Sequence, residues 1–180
     1  LKQLPHCAHT LIFHIMLTRK QFLLFSGGSL ATLILGSPAP LNAQTAKAPK
    51  GDPLPPELVK EWVGKAHSDL ARVKELYLQE PRLLNAAWDW GGGDFETALE
   101  AAGHVGNREI AEFLLSNGAR MNIFCAAMLG ELAIVKAVLK AYPALKDSAG
   151  PHGLKLKHHA QKGGEQAKAV LKYLERVGAA

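Results

Sequence analysis

The sequence has few cysteines, few aromatic residues and no long uncharged apolar run. Its 180 residues hold two cysteines, Cys7 and Cys125, with no CxxC pair and no Cys/His spacing of a zinc site. Cys7 falls in a segment expected to be absent from the mature chain. A disulfide framework is therefore not expected, and Cys125 reads as a small buried apolar residue. Aromatic residues make up 7% of the chain against 48% hydrophobic ones, which fits a helical core of Leu, Val and Ala. The net charge is +5, but Lys2, Arg19 and Lys20 lie in the leader, and without them 18 basic residues face 16 acidic ones. That excess is too small to indicate a nucleic-acid partner. No Ser or Cys nucleophile stands near a base, no Gly-rich loop precedes a helix to cradle phosphate, and no catalytic carboxylate pair can be picked out. The sequence thus points away from an enzyme, and neither a cofactor nor a metal is assigned.

What is present begins with a leader. Residues 1–15 lie upstream of Met16 and read as an upstream extension outside the mature protein. From Met16, Arg19 and Lys20 form a basic region, Phe22–Leu35 an apolar one, and Ser37–Ala43 a small-residue and proline region. This is the layout of a secretory signal peptide over 16–43, with cleavage expected after Ala43. Thr18–Leu23 resembles the twin-arginine export motif, with Lys20 in place of the second arginine. The expected location is periplasmic or secreted; the alternative is a membrane anchor formed by the uncleaved signal, although Phe22–Leu35 is short of the roughly 20 residues a span needs. A Pro-rich linker, 44–55, follows.

The remaining chain, 56–180, reads as repeated helix pairs. Pro56 can open a helix carrying Leu58, Val59, Trp62 and Val63, and a second runs from Ser68 or Asp69 to Glu80, where Pro81 stops it. Asp69–Leu83 and Glu131–Leu145 match at a constant offset of 62, sharing Leu70/Leu132, Ala71/Ala133, Val73/Val135, Lys74/Lys136, Pro81/Pro143 and Leu83/Leu145. Such a match indicates duplicated units. Thr97–Asn122 supplies the clearest pair, with Gly106 in the turn, Asn107 as a cap and Gly118 at a left-handed helix end. Turn glycines recur at Gly130 and Gly163. Helix pairs this short cannot bury an apolar face alone and must stack.

Thr97, Leu99, Ala102, Gly106, Ile110, Leu114, Leu115, Gly118, Ala119 and Asn122 fall on the pattern of an ankyrin repeat, and this region resembles that family. Ala126, Ala127, Gly130, Ile134, Val135 and Leu139 continue the resemblance, as do Leu156, Ala160, Gly163, Leu174, Gly178 and Ala179. The Thr-Pro-Leu-His opening is nowhere intact. The resemblance implies an all-α solenoid of about four helix-turn-helix units. The 24-residue spacing from Gly106 to Gly130 implies that the finger between the second and third units is shortened. The longer Gly163–Gly178 interval implies a final helix about one turn longer than its counterpart.

The most unusual stretch is Trp88–Glu96, two tryptophans beside three glycines and three acids. It can be an exposed recognition finger, or a cover for the first helix pair closed by a glycine turn. Asp89, Asp94 and Glu96 lack the spacing of a calcium loop. His158 and His159 diverge by about 100° on a helix and cannot readily share one metal. The ankyrin resemblance implies a monomeric protein-interaction module acting on another protein through its concave face and this finger. Its binding residues are Trp88, Asp89, Trp90, Asp94, Glu100, His104 and His158. A protective or inhibitory accessory subunit of another periplasmic protein is the alternative. A metal-dependent hydrolase using His152, His158 or His159 is a more distant one.

Overall fold

The structure, a computed structural model, describes residues 51–180; the upstream extension, the signal peptide and most of the linker lie outside the described residues. Among the described residues eight α-helices follow one another: α1 (Pro56–Lys65), α2 (Leu70–Gln79), α3 (Ala98–Val105), α4 (Arg108–Ser116), α5 (Ile123–Leu129), α6 (Leu132–Ala141), α7 (Leu156–Lys162) and α8 (Lys168–Arg176). A hairpin of β1 (Ala87–Asp89) and β2 (Phe95–Thr97) precedes α3. None of these helices is long and apolar enough to cross a membrane.

Local chemistry sets most of the boundaries. Asp69, Asn107 and Asn122 each cap the next helix by accepting from a backbone N–H three residues on. Thr97 and Glu100 form a reciprocal capping box at α3. Gly106 has φ 84°, and a Cβ there would lie 2.6 Å from the Lys162 carbonyl, so both the turn and the approach of α7 require glycine.

The duplicated segments fold alike. Each is a ten-residue helix, α2 or α6, followed by a proline-led 3-10 turn, Pro81–Asn85 or Pro143–Asp147. Each turn then leads into a loop, the β1–β2 hairpin in one case and Ala149–Lys155, closed by a single antiparallel bridge, in the other. Between α4 and α5 only Asn117–Asn122 intervenes, with no strand, where the shortened finger was expected.

The first helices of the pairs pack in chain order, α3 on α1, α5 on α3 and α7 on α5, and α7 also touches α3. The second helices pack likewise, α4 on α2 and α8 on α6. The interior is apolar: Val63, Leu76, Leu99, Ile110 and Leu114 in one cluster, Val135, Leu156, Val170 and Leu174 in another. Small residues at Ala101, Ala102, Ala126 and Ala127 are fully buried where the first helices approach. Cys125 is buried among them, and burial pushes its thiol pKa up to about 12.

One expectation needs correction. The last helix is not longer: α8 has nine residues, as does α4. The additional residues form a separate 3-10 turn, Gly164–Ala167, and Gly164 rather than Gly163 takes the left-handed conformation. Gly163 has an ordinary φ; it is glycine because a Cβ would collide with the Met128 carbonyl.

Candidate metal centre

Four side chains from four separate segments converge where the two loops meet the ends of α1 and α3. They are His67, Glu96, His104 and His152, and each offers a ligand atom within 4.8 Å of the others. His67 follows α1, and its Nδ1 lies 3.1 Å from the Gly64 carbonyl and 3.2 Å from that of Val63. A carbonyl only accepts, so Nδ1 carries a proton, and Nε2 is the ring nitrogen left to face the cluster. Glu96 is the inward residue of β2, fully buried between exposed Phe95 and the capping Thr97. His104 occupies the last turn of α3.

His152 reaches the group from the Pro151–Gly153 turn. Its backbone N–H donates to Asp94 Oδ1 at 2.8 Å, and its Nδ1 donates to Oδ2 at 2.7 Å. Asp94 thus fixes the ring so that Nε2 faces Glu96 Oε1 at 3.4 Å. Carboxylate, imidazole and an outward-facing Nε2 form the supporting arrangement common behind metal-binding histidines. His152 holds φ 58° and ψ 20°, the one left-handed non-glycine residue among those described. That conformation costs about 1–2 kcal/mol. The partly exposed pair with Asp94 is a weak interaction and does not by itself account for that conformation.

The closest spacings in the cluster run from 3.0 to 3.7 Å. His67 and His104 place their Nε2 atoms 3.0 Å apart; Glu96 Oε1 is 3.0 Å from His104 Nε2, and Oε2 is 3.7 Å from His67 Nε2. Four ligands about 2.1 Å from a tetrahedral ion would stand roughly 3.4 Å from one another. Hydrogen bonding alone satisfies the cluster poorly. Trp90 Nε1 donates to Glu96 Oε2 at 2.8 Å, while buried Oε1 has no hydrogen bond of adequate geometry. A single N–H on His104 Nε2 cannot serve both His67 Nε2 and Oε1. The cluster gathers three imidazoles around one carboxylate, and a buried carboxylate without compensating positive charge is costly.

The carboxylates are held ionised. For Glu96, burial pushes the pKa up, but contacts from His104 and Trp90 and the charge of the neighbouring imidazoles outweigh it, and the net direction is down. Asp94 is lowered chiefly by the His152 backbone N–H.

Of the residues singled out in the sequence, His104 belongs to the cluster, Asp94 positions His152, and Trp90 donates to Glu96. Trp88 packs partly buried against the first cluster with Lys60 above its ring. Trp90, by contrast, is 40% exposed, so the two tryptophans divide the covering and exposed roles. Asp89 accepts from the Gly91 N–H within the finger, and Glu100 is engaged by Thr97 in the capping box. His158 Nε2 donates to the His104 carbonyl at 2.9 Å, behind the site rather than in it, while His159 turns away into the core.

His67 and the joint role of Glu96 and His152 were not foreseen. A positional signal existed: His67 stands two residues before the Asp69 cap and His104 three before the Asn107 cap, so stacked units place them side by side. No protein-family model, curated protein or solved structure matches the chain.

Proposed function

We propose that this chain is a helical-repeat module of the ankyrin type that holds one divalent transition-metal ion in a site of three imidazoles and one carboxylate. The observation that carries the reading is the convergence of His67, His104 and His152 with buried Glu96, two of the rings being oriented by Nδ1 donors. Imidazole-rich sets favour zinc, copper, iron or nickel over calcium or magnesium, which take oxygen ligands. The role is holding rather than hydrolysis. The acids and bases near the site are committed elsewhere, Asp94 to His152, Glu100 to Thr97 and His158 to a carbonyl.

Titration of the full chain, first stripped with a chelator, with Zn2+ is expected to give one ion per chain by calorimetry and elemental analysis. His67→Ala should weaken binding by more than the roughly 10–100-fold typical of losing an outer-shell partner. Unchanged affinity in that variant, or no stoichiometric ion in the parent, would overturn the reading.

A second reading, a protein-interaction module or accessory subunit of an exported partner, is supported by the finger, where Phe95 is 61% exposed beside Trp90. Its export rests on the pattern of residues 16–43. If Trp90→Ala with Asp94→Ala leaves capture of a specific periplasmic protein unchanged, the finger is not the contact.

A further inference from the structure

The two loops that carry Glu96 and His152 belong to the duplicated halves of the chain, yet they abut. They can do so because the connection between α4 and α5, Asn117–Asn122, puts no loop between them. Each is weakly held by its own structure. The hairpin has three strand pairs and a tip of Gly91, Gly92 and Gly93, all with positive φ and with open space where side chains would stand. The second loop has one bridge and a strained tip residue.

Directly between the loops, the polar links that stand apart from the cluster are the bonds from Asp94 to the His152 backbone and ring. The Trp90 and His152 rings add only a tilted contact at 6.4 Å. A partly exposed carboxylate–imidazole pair is a weak tie for a loop whose tip residue is held in a strained conformation.

Resting on the metal reading, we infer that the ion is a clasp: it fastens the Pro151–Gly153 turn to the β1–β2 hairpin and both loops to the ends of α1 and α3. One cation accepts electron pairs from His67, His104 and His152 Nε2 and from Glu96, adding a joint at the point where the loops are otherwise tied only weakly. His104 then carries its proton on Nδ1, and no bond other than the coordinate ones is made. Metal occupancy thereby decides whether the surface bearing Trp90 and Phe95 is fixed relative to the helices, while the α6–α8 pair, remote in sequence from every ligand except His152, does not respond.

Hydrogen exchange of the full chain, stripped and then saturated with Zn2+, tests this with metal content measured on the same samples. The amides of Trp90, Asp94 and Phe95 in the finger, and of His152, Gly153 and Leu154 in the second loop, donate within or between the loops. Zn2+ is expected to slow their exchange at least tenfold (roughly the effect of 1.4 kcal/mol), leaving amides of α6 and α8 within twofold. Asp94→Asn, which removes the support of His152 but no ligand, should still take up one ion at saturation, with about 10–100-fold weaker affinity and smaller protection of the second loop. Unchanged α6 and α8 exchange in that variant verifies that it is folded. One bound ion with no change in loop exchange would overturn the clasp and leave the metal site standing; absence of a bound ion would overturn both.

Discussion

The helix rows and the loop end are built on opposite terms. In the rows, apolar side chains fill the interior, and the polar ends of the helices are satisfied within three residues by Asp69, Asn107, Thr97 and Asn122. At the loop end, four polar side chains from segments up to 85 residues apart face one another, and their local hydrogen bonds leave buried Glu96 Oε1 without a partner. The first arrangement is a sum of many local choices. The second has meaning only when every member is present, which is how a site differs from a scaffold.

His159 offers the largest test of that contrast, because it is a histidine of the helix rows placed under the rows' rules. It is fully buried on α7 against Phe124 and Gly103, donates Nδ1–H to the Lys155 carbonyl and has no partner for Nε2. Burial lowers its pKa from 6.5 to about 4, and neighbouring His158 and His104 add to the shift. Because the folded pKa is below the unfolded one, the unfolded chain binds the extra proton between these values, and stability falls as pH drops from 6.5 to 4. The contribution is about 3 kcal/mol at roughly 1.4 kcal/mol per pH unit. It is complete above pH 6.5 and lost near pH 4. Urea unfolding of His159→Leu beside the parent isolates it, since the other titrating groups are common to both. The stability difference between the two should change by about 3 kcal/mol in favour of the variant across that window. A constant difference would mean that the buried ring is not neutral, and that the rows tolerate charge as the loop end does.

The same contrast explains how much of the molecule was legible beforehand. The start of α1, the caps at Asp69 and Asn107, the stop at Pro81 and the left-handed Gly106 and Gly118 are short-range chemistry, and each stands where the residues put it. The offset of 62 carried the likeness of the α2 and α6 segments through to their proline-led turns. Gly163 misled because glycine has two uses: its place in the pattern suggested a turn, whereas its lack of a Cβ serves the approach to Met128. The proposed metal ligands fared worse because such a site has no fixed sequence spacing when each ligand comes from a different element. His158 and His159 drew attention by adjacency, while His67 and His152, 85 positions apart, became neighbours only through stacking and the missing middle loop. Glu96 was visible as an acid beside tryptophans, but its burial follows from strand alternation in a strand of three residues, too short to announce itself.

Thr97 stands at the seam, following Glu96 of the cluster and capping α3, and gives the finest division between the two regions. Its hydroxyl accepts from the Glu100 N–H and donates to the Glu100 carboxylate, which in turn accepts from the Thr97 N–H. Thr97→Ala removes the hydroxyl half of this box and should cost about 1 kcal/mol in metal-free unfolding. The Thr97 backbone N–H to Glu100, the β1–β2 register and the Trp90 bond to Glu96 do not depend on the hydroxyl, so Glu96 keeps its position. Zn2+ affinity of the variant is therefore expected within twofold of the parent, measured by the same calorimetry. A loss of tenfold or more would show that the α3 cap and the ligand next to it form one unit, and that the scaffold and the site are not separable at this residue.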